Sequence, residues 1–221
     1  MKSPRHHPLT RLLTESGISR LRSAHPWLYR TNLREEAFAF STPGLVRVGT
    51  ADYLYSPQSE IRLRRWGPFG EIIATSEFEN GILQDLPLFE ELYGKALQAH
   101  FSQTLATKRA GADNDPCFRW IYAESDLMPG LVIDVFDTVA VAQIQSAPIE
   151  HFWPVLRKYL ENAYREHSGT APQWKELRNM PVRKKEGLPV VPLEDKPGAG
   201  AWVRWNGFEW WMNPGGPQKT G

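Results

Sequence analysis

With 221 residues, 41% hydrophobic and 12% aromatic, the chain can bury the core of one large domain or two small ones. A lone Cys117 excludes an internal disulfide, and no window reaches the ~18 apolar residues of a membrane span or opens as a secretory signal; a cytoplasmic protein is the expectation. The net charge of +1 hides an asymmetry. Residues 1–70 hold 11 Lys and Arg against 5 Asp and Glu, whereas 71–221 hold 15 against 20, and a basic first part is what a polyanion partner requires.

Residues 1–15 are polar and proline-bearing and are expected to fray. Ile18 to Leu33 is short, alternating and aromatic, with His25-Pro26 marking a bend. Leu45–Val48, Ala51–Tyr55 and Glu60–Trp66 read as strands, and short strands at such spacing predict a small β-barrel. On the last of them Arg62 and Arg64 share one face with Trp66, and Arg65 lies opposite. Arginines beside aromatics suit RNA, because guanidinium groups neutralise phosphate while Trp and Tyr offer π-faces to unpaired bases. Tyr53 and Tyr55 read equally well as core.

After a connector over 67–86, Asp85 should cap a helix with Pro87 in its first turn and Glu90 and Glu91 near the positive end of its dipole. Phe89, Leu92, Tyr93, Ala96 and His100 recur at helical spacing to about Ala106, and His100 reads as a satisfied interface histidine. The segment 108–116, KRAGADNDP, is the expected loop and domain boundary. Trp120–Glu124 and Leu131–Val135 read as strands about a Pro129-Gly130 reversal at the centre of the chain, and 138–145 as another strand. Pro148 opens a second helix whose stripe is Ile149, Phe152, Trp153, Leu156, Leu160, Ala163 and Tyr164; His151 and His167 fall off it and should be solvated. Residues 173–177 read as a strand, 180–189 as a basic run ending in a glycine turn, and 189–200 as irregular. Asn206-Gly207 between alternating runs predicts a hairpin pairing Trp205 with Phe208 and Trp202 with Trp211. Trp202, Arg204, Glu209 and Trp211 share a face with more aromatic surface than a solvated edge needs.

The six histidines show no ligand spacing, so no metal is expected. Gly198-Ala199-Gly200 lacks the third glycine and the flanking strand and helix of a dinucleotide fingerprint. Glu124, Asp126, Asp134 and Asp137 could pair for acid–base chemistry, but Asp126 beside a Pro-Gly turn reads as a turn former. Cys117 reads as a small core or strand-edge residue.

Five segments, AHPWLY (24–29), YSPQS (55–59) followed by IRLR, ESDLMPGLVIDV (124–135), VRKKEGLP (182–189) and NGFEWWMNPGGPQKTG (206–221), resemble in the same order the large-subunit ribosomal RNA methyltransferases that make 5-methylcytosine. The resemblance implies an N-terminal PUA domain that binds RNA and a central α+β domain. It also implies a C-terminal Rossmann-like domain that binds S-adenosylmethionine and carries the catalytic cysteine. The family's Gly-Gln-Lys-Thr-Gly motif stands at the threshold of that last domain, and this chain reaches Pro217-Gln218-Lys219-Thr220-Gly221. Departures are Leu127-Met128 for the family's Gly-Leu, Pro217 for a glycine, and Arg178-Asn179 in a segment where the family carries an acidic residue.

The expectation is therefore an α+β chain: a PUA-like barrel over 1–70, a connector and helix over 71–115, a central α+β domain over 116–221, and no Rossmann catalytic domain. Lacking a glycine-rich cofactor loop and a catalytic-motif cysteine, it should be the RNA-binding portion of such a methyltransferase and bind no S-adenosylmethionine itself. Arg22, His25, Trp27, Arg30, Arg62 and Arg64 are the expected RNA contacts. Trp202, Trp211 and Lys219 are the surface expected to meet a separate catalytic domain. A competing reading is a protein-interaction module that docks a partner or a second copy, as a homodimer, through the exposed tryptophan face; a third is an enzyme completed by another polypeptide.

Overall fold

The computed structural model describes residues 12–34, 40–67, 81–112, 115–192, 200–205 and 207–213. Thr14, in extended backbone, accepts the Gly17 N–H on its hydroxyl and starts helix α1, Glu15–Arg22, which has Glu15 in its first turn and Arg20 and Arg22 in its last. The alternating reading of Ile18 onward is thereby corrected: a cap and dipole-matched charges decide the first turns, and strand begins only at Trp27.

Strands β1 (Trp27–Tyr29), β2 (Gly44–Val48), β3 (Ala51–Tyr55) and β4 (Ile61–Trp66) form an antiparallel sheet in the order β1-β4-β3-β2. Among the described residues β1 and β2 end the strand order and do not pair with each other, β2 adding outside it the single Leu45–Leu83 bridge, so the expected barrel is corrected to an open sheet. Alternation splits its residues between two cores. Leu28, Val46, Val48, Tyr53, Tyr55 and Leu63 pack with Leu13, beneath Ile18 and Leu21 of α1. Leu45, Leu54 and Trp66 point the other way, into the main core. Tyr53 and Tyr55 are core residues, and burial raises the pKa of both hydroxyls.

The Asp85 carboxylate accepts the Leu88 N–H at 2.8 Å and starts α2, Leu86–Gly111, which outruns Ala106 and makes helix of the first residues of the expected 108–116 loop. Its buried stripe is Phe89, Tyr93, Gly94, Leu97, Phe101 and Leu105, rotated from the predicted one so that Leu92 and Ala96 lie at its margin. The stripe meets α3, Ala147–Ser168, with the Phe89 and Phe152 rings stacked at 4.0 Å. All seven residues of the predicted α3 stripe are buried, each large one contributing about 1.5–3 kcal/mol. Tyr93 carries its hydroxyl across to the first sheet and donates to Asp52 at 2.7 Å; burial first, then the Asp52 charge, pushes that hydroxyl's pKa far up.

The second sheet runs β5 (Cys117–Tyr122), β6 (Leu131–Phe136), β7 (Val139–Ile144), β8 (Gln173–Leu177). The first three are antiparallel, and β8 joins β7 in parallel through the α3 crossover, so the sheet is mixed. The β5–β6 connection is longer than the predicted Pro-Gly reversal: a 3-10 turn over Ala123–Asp126 is followed by left-handed Leu127 and then Gly130. Gly130 needs to be glycine twice over, at φ +86 and with room for no Cβ, which would lie 2.3 Å from Ser146 Oγ. A short helix α4, Val182–Lys185, and a hairpin of β9 (Ala201–Trp205) and β10 (Phe208–Met212) follow. The hairpin holds the predicted register, Trp205 with Phe208 and Trp202 with Trp211, and Gly207 has φ +77; Asn206 lies outside the described residues.

Candidate nucleic-acid interface

Edge strand β1 buries Leu28 and turns Trp27 and Tyr29 to the other face, where both are half-buried. Trp27 meets Tyr29 edge to face at 6.4 Å and His25 at 6.3 Å. Arg20, from the last turn of α1, lies 4.9 Å over the Tyr29 ring and donates from Nη1 to His25 Nε2 at 3.0 Å. The Trp27 backbone N–H donates to His25 Nδ1 at 3.0 Å, so the imidazole is held between α1 and the start of β1. The Trp27 indole N–H donates to Glu124 Oε1 at 2.9 Å, and this fixes the ring against the 3-10 turn after β5. Arg22, the last residue of α1, and Arg30, next to Tyr29 in the chain, are exposed, and the Arg30 amide is pinned to the Glu60 carbonyl at 2.8 Å. Cations around part-exposed rings can take phosphate and unpaired bases together.

Of the sequence expectation, His25 and Trp27 meet at this edge, and Arg22 and Arg30 are exposed. Arg62 is half-buried with Nη1 donating to the Ser56 carbonyl at 3.3 Å. Arg64 is a correction: it is 6% exposed, with Nη2 on Glu186 Oε1 at 2.5 Å and further bonds to Ser56 Oγ, Ser59 Oγ and the Ile61 carbonyl, so its charge is used inside the protein. Sequence reasoning missed Arg20, Tyr29 and Glu124. The Thr14 cap and the turn that places Arg20 toward β1 were legible; the Trp27–Glu124 contact, between residues 97 apart, had no local signal.

Of the other singled-out residues, His100 Nε2–H donates to the Asp126 carbonyl at 3.0 Å and is an interface histidine. His151 is a correction, being half-buried with Nε2 2.7 Å from the Gln84 carbonyl, whereas His167 is exposed. Asp126 accepts the Tyr122 N–H at 2.7 Å, as a turn former does, and Asp134 pairs with Arg119 at 2.7 Å. Trp202 and Trp211 are exposed and meet edge to face at 5.4 Å; on the opposite face Phe208 and Trp210 are exposed too, and Val203 is buried. Lys219 lies outside the described residues. Among the described residues no helix is long and apolar enough to cross a membrane.

No family model matches the chain. It is similar to ribosomal RNA large subunit methyltransferase I of Alteromonas mediterranea, at 28% identity over 95% of this chain and 50% of the relative. The protein of the same name from Photobacterium profundum is 30% identical over 91% of this chain and 48% of the relative. The chain spans about half the length of the curated relatives it matches. Among solved structures it is similar to a chain assigned as a SAM-dependent methyltransferase from Streptococcus mutans, with TM-score 0.53 and 10% identity over 90% of this chain and 46% of that one. A methyltransferase complexed with SAH gives TM-score 0.54 over the same shares.

Three expectations are overturned by these matches. The fold class of an α+β chain set apart from the methyltransferase fold gives way to a mixed α/β sheet, matched over nine-tenths of the chain by methyltransferase structures. The reading as a non-catalytic RNA-binding portion, with its alternative of an interaction module, gives way to a methyltransferase relationship running over 95% of the chain. The expectation that the cofactor belongs elsewhere gives way to a structural neighbour that holds SAH. The physical reason for the first miss is the parallel β7–β8 pair: a crossover strand reads locally like any other.

Proposed function

We propose that this chain serves the S-adenosylmethionine-dependent methylation of large-subunit ribosomal RNA in the cytoplasm, and that it grips the RNA along β1 with Arg22, His25, Trp27, Arg30 and Arg62. The observation that carries the RNA part is the Arg20–Tyr29–Trp27–His25 ladder on an edge strand, rimmed by exposed arginines. The methyl donor is supported by the names of the relatives and by the SAH-complexed neighbour. When bound, S-adenosylmethionine would supply the methyl group to the RNA.

Its seat is not assigned to residues. A cleft between Phe118, Val135, Asp137 and Tyr164 holds about 200 Å3, less than the ~300 Å3 at which sites for whole small-molecule ligands begin. It does not fit the complete cofactor. Along β1 the residues bind and orient the RNA substrate: guanidinium groups take phosphates, and the half-exposed rings take unstacked bases.

The experiment is a titration of the 221-residue chain with deproteinised ribosomal RNA, together with retention of labelled S-adenosylmethionine. RNA binding should weaken linearly in log–log form with salt, by roughly 0.7–0.9 per phosphate contact. Absent or salt-indifferent binding sinks the RNA part. No retention of the labelled donor, with or without RNA, sinks the methylation part.

A further inference from the structure

We infer that the RNA grip crosses from the first sheet onto α4, where Lys184 and Lys185 take phosphates of the same strand; this rests on the RNA reading above. The basic run VRKK is anchored by its second residue. Arg183 is fully buried, with Nη1 on the Ile144 carbonyl at 2.6 Å and on Glu150 at 2.8 Å, and Nε on the Pro189 carbonyl at 2.9 Å. With Arg183 turned inward, Lys184 and Lys185 stand exposed on the outer side of the turn.

Where they stand is set by the next two residues. Glu186 is held by Arg64, whose guanidinium also bonds Ser56 and Ser59 of the β3–β4 turn. Gly187 lies so close to that turn that a Cβ would come 2.2 Å from Gln58 Oε1. The same turn carries the Glu60 carbonyl that pins Arg30, and the Ser56 carbonyl that receives Arg62. The segments that carry Arg30, Arg62 and Lys184-Lys185 therefore meet at one turn, brought together from three distant parts of the chain. The carboxylates beside them are largely occupied: Glu186 by Arg64, and Glu150 by Arg178 and Arg183. Among the described residues at this turn Glu60 remains as an exposed acid against four cations. Arg30 also flanks the aromatic ladder, so this basic surface is continuous with part-exposed rings, and that combination fits a nucleic-acid backbone with unpaired bases. Arg64, expected to touch RNA, delivers two lysines instead.

The test is the salt dependence of ribosomal RNA binding by the whole chain and by the double substitution Lys184→Ala, Lys185→Ala, with Lys95→Ala on exposed α2 surface as control. Both lysines are exposed, so the melting temperature should not move. The double variant should bind roughly tenfold more weakly near physiological salt, with a log–log slope shallower by about 1.4–1.8, two phosphate contacts' worth; Lys95→Ala should match the parent. A steep parental slope unchanged in the double variant overturns this inference and leaves the β1 reading standing, whereas no salt-dependent binding by the parent overturns both. Competition by polyglutamate as effective as by RNA at equal charge would assign the patch to an acidic protein and also overturn it.

Discussion

Arg64 and Glu186, 122 residues apart, meet in a forked ion pair with both side chains buried, Nη2 to Oε1 at 2.5 Å and Nη1 to Oε2 at 3.4 Å. Glu186 also accepts the Ala147 N–H at the start of α3, at 3.4 Å. One carboxylate thus ties β4, the β3–β4 turn, α3 and α4 together. The pair need not add net stability, because removing two charges from water costs about what their attraction returns. Its role is placement, and it is costly to halve.

Glu186→Ala should destabilise the chain by about 3–5 kcal/mol, since it leaves the Arg64 guanidinium buried and uncompensated. Replacing both residues by apolar ones of similar volume, Arg64→Met with Glu186→Leu, should recover most of the loss. Urea midpoints at constant m-value decide it; equal losses in the single and double variants would contradict the account.

His100 sets a pH dependence. Burial lowers its pKa below the ordinary 6.5, and the Asp126 carbonyl and charge oppose that shift without cancelling it. The unfolded chain therefore takes up a proton near pH 6.5 that the folded chain refuses. The stability this histidine contributes is complete above that value and declines as pH falls below it. His100→Gln, which keeps a donor for Asp126, should flatten the stability profile on the acid side of about pH 6.5. A profile that keeps its slope in the variant excludes His100 as the cause.

Trp27 separates stacking from positioning. Trp27→Ala should lose about 1–3 kcal/mol of RNA affinity, the worth of one stacked base. Trp27→Phe keeps a ring but gives up the bond to Glu124, so it should retain most of the affinity while lowering stability by about 1 kcal/mol. Filter binding beside thermal melting reads both, and full affinity in the alanine variant would remove Trp27 from the interface.

Gly130→Ala should cost at least about 1–2 kcal/mol from the left-handed backbone alone, and more from the 2.3 Å approach to Ser146. Adding Ser146→Gly should relieve the clash and not the backbone strain, so the rescue should be partial. Chemical denaturation of the three proteins gives the answer, with complete rescue counting against strain at φ +86.

Local patterns were legible in the sequence because their causes are local. The Asp85 cap, the α3 stripe, the strands at Leu45, Ala51 and Ile61, and the hairpin register at Asn206-Gly207 follow from spacing and turn chemistry within a few residues. The aromatic run of 25–29 was likewise legible, and its rings meet at β1, His25 on Trp27 and Trp27 on Tyr29. Tertiary structure alone decided which faces were buried and which strands were neighbours. That β8 would run parallel to β7, that Arg64 would turn inward to Glu186, and that Gly187 would arrive against Gln58 of the β3–β4 turn depend on contacts between segments tens to more than a hundred residues apart. A charge reads the same in sequence whether it faces water or a buried partner; only the packing around it supplies the desolvation and the counter-charge that fix its role.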